Sequence, residues 1–223
     1  MITIVGTSHV SKQSAQDVRD AVEHANIIAI ELDAGRAHAL LSGKRATFTE
    51  LRRALGLRAA TIASILRFAQ ERIAAAVGVV PGVEMKEALL LAAKQQKRVA
   101  FIDREIQITA QRLTKALGWR ELRQFCKDLL KPKKVSLHPT DEVVLALLTE
   151  LKAKYPRVYT AVVSERDDHM ARSLLAVQER NPGTSIVAVV GKGHVPGMLE
   201  RINYLNADAQ VSVWTSRATK PPR

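Results

Sequence analysis

Apolar positions along the chain follow two rhythms. Short β-branched runs, each stopped by a glycine or a charge, predict strands at Ile2 to Gly6, Ile27 to Leu32, Arg98 to Asp103 and Ser185 to Gly191. A weaker pattern predicts a fifth at Gln210 to Thr215. Ile27-Ile28-Ala29-Ile30 and Ile186-Val187-Ala188-Val189-Val190 are apolar without alternation. Strands of that kind are covered on both faces, as in a parallel sheet flanked by helices.

Between the strands the apolar period lengthens to that of a helix. Ser14 to Asn26 places Val18, Ala21, Val22 and Ala25 on one face, and Glu84 to Lys97 carries Ala88, Leu89, Leu91, Ala92 and Ala93 in a helix-forming background. Thr140 can cap a helix from Asp141 to Lys154, and Pro156 ends or restarts it. Within Tyr155 to Glu179, Val158 to Val163 has a strand-like composition. The spacing of Val158, Val162, His169, Met170, Leu174 and Val177 nevertheless fits a helix, and the segment is read as one. The order is βαβ, a helical stretch, βα, a second helical stretch, then two strands in succession. It predicts an α/β fold with a mainly parallel central sheet flanked by helices and long helical insertions. No Gly/Ser/Pro-rich linker divides the 223 residues, so a single domain over 1–223 is expected, with 216–223 as a loose tail.

Composition narrows the function classes. Hydrophobic residues at 47% and charged residues at 25% are those of a globular chain, not a disordered one. Lys and Arg exceed Asp and Glu by 34 to 22, a formal net charge of +12. Such a balance admits nucleic acid, an anionic membrane surface or an acidic ligand. Only Lys127 and Lys131-Pro132-Lys133-Lys134 form a dense cluster, and aromatic residues are just 4%, little material for stacking bases. The charge is therefore read as a solvated basic surface, with no specific nucleic-acid partner. The single cysteine, Cys126, excludes an internal disulfide and a cysteine zinc cluster; its apolar helical setting points to a packed thiol. A secretory leader and an apolar run of about 20 residues are both absent, so a soluble, cytoplasmic chain is expected.

Chemistry-bearing residues gather where the predicted strands end. The first runs into Gly6-Thr7-Ser8-His9-Val10, the second into Glu31-Leu32-Asp33, the third into Asp103-Arg104, and the fourth into Gly191-Lys192-Gly193-His194-Val195-Pro196-Gly197. In an open parallel sheet those ends share one edge, where ligands bind. The paired Gly-x-x-His-Val segments form a short internal repeat, with glycine permitting a sharp turn and close approach to a ligand. Two neutral imidazoles and the Glu31 carboxylate suit a divalent Mn, Co, Zn or Fe ion with positions left for water. Alternatives remain open for each. A lone strand-end histidine can be a hydrogen-bonded loop residue, and Glu84, opening a helix after Gly78-Val79-Val80-Pro81-Gly82, can serve the helix dipole. Asp103-Arg104-Glu105 can be an exposed ion pair, and Glu165-Arg166-Asp167-Asp168 a solvated face with Glu165 and Asp168 near Arg172. His24, His38, His138 and His169 lack comparable settings.

Taken in order, Gly-Thr-Ser-His-Val, Glu31-Leu32-Asp33, Pro81-Gly82-Val83-Glu84-Met85, Asp103-Arg104-Glu105-Ile106, Glu165-Arg166-Asp167 and Gly-Lys-Gly-His-Val-Pro-Gly resemble the TraB/PrgY family, from Gly6 to about Met198. That family is grouped with the Tiki proteases and, more distantly, with erythromycin esterase-like and ChaN-like proteins. The resemblance implies a metal-dependent hydrolase or peptidase. His9 and His194 match the family's two Gly-x-x-His histidines, while Glu31, Glu84 and the Glu165–Arg166 pair match its characteristic acidic and arginine positions. TraB/PrgY proteins are associated with shutting down peptide-pheromone signalling, which implies a peptide or protein substrate. Two departures stand out. His169 replaces a commonly aromatic position, and the C-terminal membrane region of many relatives is absent, which leaves a membrane-surface location open for a longer form.

The enzyme expected from these residues hydrolyses amides. His9, Glu31 and His194 hold the metal, Glu84 or Glu165 acts as general base, and Arg166 or Arg104 steadies the oxyanion, with Asp103 beside them. The competing expectation is a non-catalytic module of the same fold that binds peptide, metal or haem and regulates a partner. A homo-oligomer is compatible with either.

Overall fold

The structure, a computed structural model, describes residues 1–7, 12–44, 46–76, 82–130 and 141–214. His9, His138, the Lys131–Lys134 cluster, 78–81 of the glycine-proline loop and the 216–223 tail lie outside them, as does the Cys126 side chain. Five strands are present: β1 (Ile2–Thr7), β2 (Ile27–Ile30), β3 (Arg98–Phe101), β4 (Ile186–Gly191) and β5 (Val211–Val213). They form one sheet in the order β3-β2-β4-β1-β5, and every pairing is parallel. The α/β reading with a parallel central sheet holds.

By packing, the chain divides into two compact units that interleave in sequence. The first comprises residues 1–32, 82–103 and 167–223 and contains the whole sheet. Its helices are α1 (Lys12–Glu23), α4 (Val83–Lys94), most of α9 (Glu165–Glu179) and α10 (Val195–Leu205). Alternation along the strands explains the layering. Ile2, Ile4, Ile27, Ala29, Ile186, Ala188 and Val190 turn to one face, where they bury Met170, Ala171, Leu174 and Leu175 of α9 and Met198 and Ile202 of α10. The other face is covered by α1 against β1 and β4, and by α4 against β2 and β3. Central β2 and β4 are buried along their length, except for terminal Gly191, whereas Val99 and Phe101 of edge strand β3 stay exposed.

The sequence reading placed two strands in succession at the end, but α10 intervenes between β4 and β5. Pro196 belongs to its first turn, where a missing backbone N–H costs nothing; the flanking glycines had disguised this start as loop. The predicted helix over Tyr155 to Glu179 is helical from Pro156 onward, interrupted by a π-helical turn at Thr160–Ser164.

The second unit, residues 33–81 and 104–166, is helical: α2 (Ala34–Ser42), α3 (Phe48–Ala76), α5 (Ile106–Ala116), α6 (Trp119–Leu130), α7 (Asp141–Lys154) and α8 (Pro156–Tyr159). α3 is broken at Gly56, whose φ of 79° is left-handed and suits glycine alone. One core joins Ile62, Leu113, Leu117, Phe125, Val158 and Ala161, with Phe125 meeting the Tyr155 ring edge-on at 5.3 Å. Burial pushes the Tyr155 hydroxyl up to about 12, reinforced by its hydrogen bond to Asp128. Charge is divided unevenly between the units. The helical unit has 21 Lys and Arg against 10 Asp and Glu, or +11, leaving +1 for the sheet unit. Among the described residues no helix is long and apolar enough to cross a membrane.

Candidate functional site

Because all strands run the same way, their carboxyl ends meet on one edge of the sheet. β2 ends directly before Glu31, β3 shortly before Asp103, and β4 at Gly191, three residues before His194. β1 ends at Thr7, two residues before His9, and Thr7 pairs with Gly191 in register. The two Gly-x-x-His segments are therefore carried by neighbouring hydrogen-bonded strands, offset by one residue. α4 and α9 each lead into a strand at the opposite edge, so Glu84 and Asp167, in their first turns, also stand at this carboxyl edge.

His194 closes a 3₁₀ turn, Lys192–His194. Its ring lies between two carboxylates. Nδ1 is 2.6 Å from Asp167 Oδ1, and Nε2 is 3.3 Å from Glu31 Oε1. The second Glu31 oxygen accepts a hydrogen bond from the Gly191 N–H at 2.7 Å. An ionised Asp167 can only accept, so Nδ1 is the donor, and Nε2, the other ring nitrogen, faces the Glu31 carboxylate. All three side chains are nearly buried, as are Glu84 and Asp103. Asp103 is thus not the exposed ion-pair member that the sequence allowed.

Asp167 is a site residue that the sequence motifs alone do not single out. Its signal was available: Asp167, Met170, Ala171 and Leu174 form the buried stripe of α9, and a carboxylate on an apolar stripe requires a reason. Two glycines make the arrangement fit. A Cβ on Gly197 would overlap the Asp167 carboxylate, with Cγ only 2.8 Å away. A Cβ on Gly6 would stand 3.0 Å from both Lys192 Cγ and Val195 Cγ2. Gly6 thereby lets the His194 turn lie against β1; its observed service is close packing within the protein.

Other nominated residues belong to the helical unit and are described there. Arg104 is buried, donating from Nε to Thr109 Oγ1 at 3.1 Å, from Nη1 to Glu165 Oε2 at 2.8 Å, and from Nη2 to the Ala161 carbonyl at 2.5 Å. It ties Glu165 to the π-helical turn. Arg166 Nη1 donates to the Val162 carbonyl at 3.3 Å. Asp33 caps α2, accepting from the Arg36 N–H at 2.9 Å and from its Nε at 2.6 Å. In the sheet unit, Asp168 pairs with Arg172 at 3.0 Å and with Arg201, while His169 is exposed.

A hollow of about 630 Å³ lies at the opposite, amino edge of the sheet, lined by polar residues including Asn26, Gln95, Lys97 and Thr184. Lys97 already donates to the carbonyls of Val22 and Glu23 at the end of α1, so its charge is spent on a helix terminus. Among the described residues no histidine or carboxylate lines this hollow; His194, Glu31 and Asp167 stand at the other edge.

An uncharacterized protein of Methanocaldococcus jannaschii is 31% identical over 215 residues, covering 92% of this chain and 54% of that protein. TraB domain-containing proteins of Bos taurus and Homo sapiens are 26% and 25% identical over 234 residues, covering 88% of this chain and 61% of each. The chain thus spans little more than half the length of these relatives. Residues 1–210, both Gly-x-x-His segments included, match the TraB/PrgY/gumN family, and the chain belongs to that family.

Proposed function

We propose that this protein hydrolyses amide bonds in a peptide or protein, using a divalent cation held at the carboxyl edge of the sheet. The observation behind this reading is the His194 imidazole fixed by Asp167 with Nε2 turned to Glu31. A carboxylate on the far nitrogen is the usual support of a metal-binding histidine, because it sets the tautomer and aims the lone pair. The spacing fits too. Ligands about 2.0–2.1 Å from one tetrahedral ion stand roughly 3.3–3.4 Å apart, and Nε2 and Oε1 are 3.3 Å apart. A direct charge-assisted hydrogen bond would be shorter, about 2.7–2.9 Å.

His194 and Glu31 would hold the cation, with His9 as the proposed third ligand. Among the described residues no group of three or more His, Cys, Asp or Glu is placed to hold a metal, and His9 is not one of them. Bound there, a divalent cation supplies an acidified water and polarises the scissile carbonyl. Asp167 keeps the ring oriented, and the Gly191 N–H keeps one Glu31 oxygen turned away from the ring. Glu84, buried at the same edge, is the proposed acceptor of the water proton. Arg104 has donors committed to Thr109, Glu165 and Ala161, which favours a bracing role over oxyanion contact.

The test is cleavage of a peptide library by the protein after chelation and after reloading with Mn, Co or Zn. Turnover should vanish on chelation and return with metal. Undiminished turnover in metal-free protein would remove the cation from the mechanism. No turnover in metal-loaded protein would make the non-catalytic binding module the better reading.

A further inference from the structure

Part of the helical unit's excess positive charge has a definite place on α6. This helix carries three cations, Arg120, Arg123 and Lys127, and two acids, Glu121 and Asp128. At 3.6 residues per turn the cations fall within about 60° of arc, and the acids stand together on one flank. The acids are engaged with their own unit. Asp128 pairs with Lys154 at 2.6 Å and accepts from the Tyr155 hydroxyl. Glu121 accepts from the Gly118 N–H at 3.0 Å and stands 3.9 Å from Arg157. Phe125 is buried in the core of the unit. Arg120, Arg123 and Lys127 are all exposed, and among the described residues no carboxylate pairs with any of them. A solvated helix face ordinarily intersperses both signs. On α6 they are sorted, acids toward the protein and cations toward solvent.

We propose that α6 docks on the phosphate backbone of a nucleic acid through Arg120, Arg123 and Lys127, whatever the base sequence. The cationic stripe runs about 10 Å along the helix axis, a length over which one strand of a duplex presents about three phosphates. Two of the three cations are arginines, whose planar fork matches phosphate oxygens. With aromatic residues at only 4% of the chain, stacking on bases contributes little and the charges carry the binding. A bilayer would need the apolar side of α6 in its acyl boundary, whereas Phe125 is turned into the protein core. An acidic protein surface offers carboxylates at no fixed interval, while a phosphodiester strand repeats its charge regularly. A second copy of the chain would set like stripes against each other.

The experiment is fluorescence anisotropy of a short labelled DNA duplex titrated with the full chain at several salt concentrations. Binding should be equal for two unrelated base sequences and should weaken steeply with salt. Arg120→Gln with Arg123→Gln and Lys127→Gln should reduce the slope of log affinity against log salt by about 2.7, roughly 0.9 for each phosphate. Lys44→Gln with Arg52→Gln and Arg53→Gln removes the same charge from exposed positions elsewhere in the unit, and should leave the slope near that of wild type. Thermal melting checks that both variants stay folded; should the α6 variant not, Arg123→Gln alone should lower the slope by about 0.9. Absence of duplex binding at low salt, an unchanged slope in the α6 variant, or an equal fall in both triple variants overturns the proposal. So does stronger competition by phosphatidylserine vesicles or polyglutamate than by unlabelled duplex of equal charge.

Discussion

His194 is held by what its neighbours lack as much as by what they carry. Asp167 reaches Nδ1 only because residue 197 has no Cβ, and the turn lies on β1 only because residue 6 has none. Gly197→Ala would force the Asp167 carboxylate out of its place. Overpacking of this kind costs about 1–3 kcal/mol, and urea unfolding of the variant should show a loss in that range together with weaker metal binding. Native stability in the variant would mean that Asp167 has room to spare. At this scale the sequence was partly readable. Glu31 and His194 could be nominated because each follows a strand, and strand ends are visible as apolar runs stopped by Gly or charge. Asp167 lies in a helix, where its partner is 27 residues away and only packing identifies it.

Among the elements, α9 and α10 are joined by charge at their solvent side. Burial raises the Asp168 carboxyl, but hydrogen bonds from Arg172 and Arg201 outweigh it and hold the group below its ordinary range. A folded-state value below the unfolded one means that Asp168 stabilises the fold above the unfolded pKa, near 4. That contribution is lost as pH falls through the lower, folded value. Asp168→Asn should accordingly lower Tm at neutral pH and flatten the acid limb of the Tm–pH curve below about pH 4. Parallel curves for variant and wild type would show that the arginines do not engage Asp168 in solution. The pairing with Arg172 followed from its i, i+4 spacing in sequence; Arg201 did not, because it comes from α10, which the glycines around His194 concealed. The π-helical turn at Thr160–Ser164 was likewise unreadable, since its residues keep helical apolar spacing while Arg104 holds the Ala161 carbonyl from the connection between β3 and α5.

For the molecule as a whole, strand order decides what the site can be. β4 lies between β1 and β2, so the strand that leads into the first Gly-x-x-His segment pairs directly with the one that leads into the second, although nearly the whole chain separates them. The sequence predicted a shared edge, and parallel pairing supplies it for Glu31, Asp103 and His194; it could not supply the order. Nor could it reveal that the net positive charge belongs almost wholly to residues 33–81 and 104–166, because that unit is assembled from two separate stretches of chain. The central claim, a cation shared by His9, Glu31 and His194, is tested most directly by elemental analysis of wild type, His9→Ala, His194→Ala and the double variant, at neutral pH and near pH 5. Wild type should hold about one divalent ion per chain at neutral pH and release it near pH 5, since neutral imidazole is the ligand. Each single variant should lose most of the metal and the double variant little more, as groups acting together do. Equal metal content in all four proteins would contradict the account.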